Sequence, residues 1–159
     1  MDMDRIGTSA CLRASLITMG LFASLAIVAN AAEVTYTGQI KKVFDSQCVS
    51  CHGKNAPEHG DFKKDKEGFK KKGLGPKMDS YAHLASYVGW PDSGAVMRRL
   101  DDGKNTKDGK PGNMYEHLGK DEAERQKNLV LFKAWVGNWT LKRFPELTKE
   151  DLAGISANY

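Results

Sequence analysis

Five consecutive residues, Cys48-Val49-Ser50-Cys51-His52, put two thiols and an imidazole within little more than one helical turn. Such a pair can close a disulfide, act as a redox centre, supply half a zinc site, or anchor a cofactor. In the last case each thiol adds to one of the two vinyl groups along one edge of a haem, and the next residue places its imidazole under the iron. A thioredoxin-like pair should follow a β-strand, whereas the preceding segment reads as helix. A zinc site needs four ligands, and no second Cys pair exists. The residues therefore predict one covalently attached haem c on Cys48 and Cys51, with His52 as an iron ligand.

The compartment agrees with that chemistry. Arg5 and Arg13 flank a polar start, Ala14 to Ala29 is an almost unbroken apolar run, and Ala29-Asn30-Ala31 is a small-x-small signal-peptidase pattern. Residues 1–31 are expected to be a cleaved secretory signal peptide, with the cut before Ala32. An uncleaved membrane anchor is the minority reading: sixteen residues at ~1.5 Å each span roughly 24 Å, short of a ~30 Å hydrocarbon core. The third cysteine, Cys11, leaves with the leader, so Cys48 and Cys51 are alone in an oxidising periplasm. Residues 32–159 are enough for a single domain. With 40% hydrophobic residues, 28% charged residues and a net charge of +4, composition says only that the chain is globular. It lacks the strongly basic face that nucleic acid demands.

Helical elements must position the motif. Ile40, Val43 and Phe44 recur at i, i+3 and i+4 and run into it. Asp121 with Glu124 resembles a capping box, opening a long helix whose apolar face is Leu129, Phe132, Trp135 and Val136. A short helical extension over about 146–159 follows Thr148, with Asp151 at the reciprocal capping position. Between them no alternating strand pattern appears. Gly73-Leu74-Gly75-Pro76, Trp90-Pro91 and Lys110-Pro111-Gly112 punctuate the middle instead. The expected fold is all-α, helices wrapped by long loops around one haem.

Lys41-Lys42-Val43-Phe44, followed four residues after the aromatic by the C-x-x-C-H motif, resembles the start of class I cytochromes c. The likeness covers most of Thr37 to Trp139. It implies that the N- and C-terminal helices cross, with Phe44 and Trp135 as their aromatics. The family often has Gly where this chain has Ile40, so either Gly38 serves the crossing or the helices stand further apart. Class II cytochromes, four-helix bundles with an open haem, place the motif near the C-terminus and do not fit.

Candidates for the second axial ligand are Met78, Met97, Met114, His59, His83 and His117. The resemblance implies Met114, which sits in a loop shortly before the last long helix. Pro91 to Leu100 resembles the family's preceding helix, where the position of Met97 packs in the core. Leu74-Gly75-Pro76 resembles the segment whose carbonyl, here that of Pro76, accepts a hydrogen bond from the proximal imidazole. The stretch Asp61 to Lys72 would then be an insertion. Its Lys63, Lys64, Lys66, Lys70, Lys71 and Lys72 form a solvated face or a docking ring for protein redox partners. Asp101-Asp102-Gly103-Lys104-Asn105 lacks the ligand alternation of a calcium loop. The expected function is one-electron transfer through a His/Met-ligated iron, by a carrier and not an enzyme, free or as a subunit of an oxidoreductase. The alternative is a haem enzyme or gas sensor with an exchangeable sixth ligand, for which His117 is the distal candidate.

Overall fold

The computed structural model describes residues 33–89 and 92–159. The expected leader, with Cys11, and the Trp90-Pro91 pair lie outside the described residues. Thr35 opens the first helix: its hydroxyl accepts from the Gly38 N–H at 3.0 Å, a standard N-cap. A π-helical turn, Tyr36–Ile40, leads into α1, Lys41–Gln47. Ile40, Val43 and Phe44 are buried on one face, as their spacing requires. The chain breaks at Cys48 and resumes as the single turn α2, Val49–His52.

The long helix is α7, Glu122–Val136. Its face of Leu129, Phe132, Trp135 and Val136 is buried throughout. The expected capping box is only half formed. Asp121 accepts from the Glu124 N–H at 2.9 Å, but the Glu124 carboxylate takes the N–H of Lys120, also at 2.9 Å. The backbone of Gly119 lies against the Glu124 side chain, so close that a Cβ there would sit 2.7 Å from it. That packing turns the carboxylate one residue early.

The crossing of the two ends also differs in detail. From the N-terminal end, it is the Tyr36–Ile40 turn more than α1 that packs on α7. Ile40 is fully buried and Gly38 faces its own cap residue, so no glycine mediates the contact. Tyr36 and Trp135 fill the space, with ring centroids 6.4 Å apart.

The middle of the chain holds more helix than its Gly and Pro content suggests. It forms α3 (His59–Lys64), α4 (Lys66–Lys71), α5 (Tyr81–Ala85) and α6 (Ala95–Leu100), then a 3-10 turn over Tyr115–Leu118. The last helix, α8 (Lys149–Ala153), has the expected reciprocal box, with Thr148 and Asp151 exchanging backbone bonds of 2.9 and 3.2 Å. The chain then doubles back. Asn158 O accepts from the Tyr36 N–H and from Trp135 Nε1, both at 2.8 Å, and Ala157 O accepts from Tyr81 Oη at 2.9 Å. Among the described residues there is no strand, only one bridge between Gly137 and Ile155. No described helix is long and apolar enough to cross a membrane.

Candidate functional site

The motif occupies one helical turn. The carbonyl of Cys48 accepts from the N–H groups of both Cys51, at 3.2 Å, and His52, at 3.0 Å. Both thiols and the imidazole thereby face the same cavity, of about 520 Å³, well within the size range of cofactor pockets. Its apolar lining comes from Phe44, Leu84, Val96, Leu100, Leu118 and Phe132, so α1, α5, α6 and α7 all contribute. Cys48 and Cys51 are free thiols. Burial pushes the Cys48 thiol up to about 11, and the neighbouring Cys51 adds to the effect.

His52 is held as a metal ligand requires. Its Nδ1 donates to the carbonyl of Pro76 at 2.7 Å, which leaves Nε2 for the cavity. Burial holds the imidazole below its usual range despite that bond, and His117 nearby lowers it further. A neutral ring is the ligating form. The loop that brings Pro76 here is fastened on both sides: the Gly75 N–H donates to Cys51 O and the Met78 N–H to His52 O, each at 2.9 Å.

Gly75 is the functional residue that motif reading passed over. A Cβ there would lie 2.1 Å from Cε1 of His52 and 2.6 Å from Nδ1. Only a residue with no side chain lets the imidazole lie flat on the loop. The signal available in sequence was the Gly-Pro pair itself.

The structure separates the other candidates. Met97 is 1% exposed in the core and does not line the cavity. Met78 and Met114 both line it. Met78 is tied to the backbone of His52, on that residue's own side. Met114 arrives from the other end of the chain, its N–H donating to Arg99 O at 2.9 Å. His83 is turned away, paired with Asp79 at 2.9 Å and with Glu58 at 3.5 Å. His117 lines the cavity. So does His59, which is not the solvated residue its Lys- and Gly-rich neighbourhood implies. Its Nδ1 lies 2.6 Å from Tyr87 Oη, and its Nε2 is buried and bonded to nothing. The inserted segment is two short helices, not a loop, and Lys63, Lys66 and Lys70 border the cavity.

These residues fit a haem. Two thiols stand beside an oriented imidazole in an apolar cavity, and a glycine cradles the ring. A helical shell around such a site defines a monohaem c-type cytochrome. The family model described as PccH cytochrome c matches residues 35–159, and the chain belongs to that family. The solved structure of the monohaem cytochrome PccH from Geobacter sulfurreducens is 57% identical, covering 80% of this chain and 99% of that one, with a TM-score of 0.75. No functionally curated protein matches the chain. The chain carries one covalently attached haem c and is an electron carrier.

Proposed function

We propose that the chain is an exported, periplasmic one-electron carrier, with haem bonded to Cys48 and Cys51 and iron held between His52 and Met114. The observation that carries this reading is the His52 to Pro76 bond: it occupies Nδ1 and leaves Nε2 for a cavity that both thiols and Met114 also line. Haem supplies an iron that gains and loses one electron. The chain's residues do the rest. His52 would hold the iron, its basicity raised by the bond to Pro76. Met114, a soft thioether, favours the ferrous form. Phe44, Leu118 and Phe132 exclude water.

Lys63, Lys64, Lys66, Lys70, Lys71 and Lys72 are exposed on α3, α4 and the residue after them. Lys63, Lys66 and Lys70 border the cavity, and with their neighbours they support a docking face for an acidic redox protein. Electron exchange with such a partner should slow as salt rises and the Debye length shrinks from about 10 Å at 0.1 M to about 3 Å at 1 M. A rate indifferent to salt would remove this face from the reading.

Optical spectra of the purified holoprotein test the ligation. A ferric, low-spin spectrum should carry the weak far-red band of a sulfur–iron bond, and Met114→Ala should abolish it. Survival of the band in Met114→Ala would overturn the assignment. Its absence from the unmutated protein, with His117→Ala changing the spectrum, would favour the exchangeable-ligand alternative. Mass spectrometry of the exported chain should give a start at Ala32 and one haem of added mass.

A further inference from the structure

Asp101 ends α6 as a fully buried acid. Such a side chain is rarely buried without a cation, and this one forms no ion pair with a described residue. Its oxygens are met by its own loop instead. Oδ1 accepts from the Gly103 N–H at 2.9 Å and the Asn105 N–H at 3.4 Å, and Oδ2 accepts from Asn105 Nδ2 at 2.8 Å. These bonds reel residues 101–105 into a turn. Beyond it the chain folds back on itself: a Cβ on Gly103, whose φ is +91°, would lie 2.6 Å from Gly109 O. Thr106 Oγ1 sits 3.0 Å from Gly103 O and 2.9 Å from Lys110 O, which fastens the two limbs.

The closed loop delivers its end to α6. The Gly112 N–H donates to Asp101 O at 2.8 Å, and the Met114 N–H to Arg99 O at 2.9 Å. Gly112 lies flat on that helix end, where a Cβ would meet Arg99 O at 2.3 Å and Arg98 O at 2.6 Å. On the other side Gln126 of α7 bridges Asp102 Oδ2 at 3.0 Å and Tyr115 Oη at 2.7 Å. Met114 therefore reaches the cavity from a backbone gripped on both flanks. Asn113 and Met114 line the cavity, whereas no residue from Asp101 to Gly112 does. The buried acid can act on the site only through the backbone that it holds.

We propose that Asp101 is a positioning residue for the second axial ligand: its carboxyl group closes the 101–112 loop, and the closed loop seats Gly112 and Met114 on the end of α6. The proposal rests on the reading of Met114 as that ligand. Its physical basis is chain entropy. A slack loop would let Met114 sample many positions, and bonds to one buried side chain remove that freedom before the sulfur meets the iron. Without them the seat is occupied for only part of the time, and the thioether leaves more often.

Imidazole added to the purified ferric holoprotein reads this release. It takes the iron only when Met114 lets go, so at high concentration the displacement rate, followed by loss of the far-red band, levels off at the rate of Met114 departure. Asp101→Ala should raise that plateau at least tenfold, about 1.4 kcal/mol at the barrier. Asp101→Asn keeps an oxygen for the Gly103 N–H, and Asn105 can turn its own amide to meet the new one, so most of the unmutated rate should return. Tyr81→Phe loses a bond to Ala157 O that belongs to neither the loop nor α6; it should lower the unfolding midpoint and leave the plateau alone. An unchanged plateau in Asp101→Ala would overturn the positioning role while leaving Met114 as the ligand. An equal rise in Tyr81→Phe would mark general loosening and overturn it as well. A ferric protein with no far-red band would overturn both readings. Should Asp101→Ala fail to hold haem, Asn105→Ala and Gly112→Ala decide: each should raise the plateau, and unchanged rates in both would refute the proposal.

Discussion

Gly75→Ala is the sharpest probe of how the loop controls the iron. The new methyl would stand 2.1 Å from Cε1 of His52, which falls 1.3 Å short of the 3.4 Å at which ordinary contact begins. Neither neighbour yields easily. The loop is pinned to Cys51 and His52 by backbone bonds, and the ring is pinned by the iron it is proposed to ligate. The bond from Nδ1 to Pro76 is 2.7 Å long and is lost beyond about 3.5 Å, so a displacement of that size breaks it. Overpacking costs about 1–3 kcal/mol of stability. Without its acceptor the imidazole becomes a poorer donor, which destabilises ferric more than ferrous iron. If the broken bond is worth about 1 kcal/mol to the ferric state, the midpoint potential rises by about 40 mV at 59 mV per tenfold. Voltammetry and urea unfolding of the holoprotein read both effects. A Gly75→Ala protein with unchanged potential and unchanged unfolding midpoint would refute the reasoning.

Three further outcomes follow from packing and charge. Met97→Ala should cost about 2–5 kcal/mol of stability in urea while the far-red band persists, because Met97 fills core away from the cavity. Deletion of residues 155–159 strips the acceptors from Tyr36 N–H, Tyr81 Oη and Trp135 Nε1, and should lower stability by at least about 3 kcal/mol with the haem spectrum retained. Burial would push the Asp102 carboxyl up, but hydrogen bonds from Lys104 and Gln126 overcome it and hold the group down at about 2. The stability it supplies is therefore present above the ordinary carboxylate range, near pH 4, and fades as pH falls toward 2. Asp102→Asn should lose less stability than the unmutated protein when acidified across that window, measured by thermal unfolding.

Local chemistry made much of this legible in the sequence. Cys48, Cys51 and His52 are contiguous, so one turn of helix sets their geometry. The burial of Leu129, Phe132, Trp135 and Val136 follows from spacing on α7, and Thr148 with Asp151 announced α8. Contacts between distant segments were not legible. The Gly75-Pro76 pair points to a carbonyl bonded to the imidazole, but not to a ring lying flat on Gly75 itself. His59 looks solvated beside its glycines and lysines until Tyr87, far along the chain, closes on it. The half-formed box at Asp121 depends on how Gly119 folds back, which no capping pattern encodes. The Lys-rich segment reads equally as coil or helix because its charges mask the weak face of His59, Phe62 and Phe69.

The return of the chain's end to its beginning has a consequence for the order of events in folding. Residues 155–159 meet Tyr36 and Thr37 across more than a hundred residues, a closure whose entropic cost is met only once the intervening fold exists. This clasp should therefore form last and open first, as a sub-global fluctuation well below complete unfolding. Its opening bares the edge of Trp135 and the side of Tyr81, yet every described residue that lines the haem cavity lies between Phe44 and Phe132. A species with its ends unfastened would still enclose its cofactor, so the protein can breathe at its seam without exposing its iron.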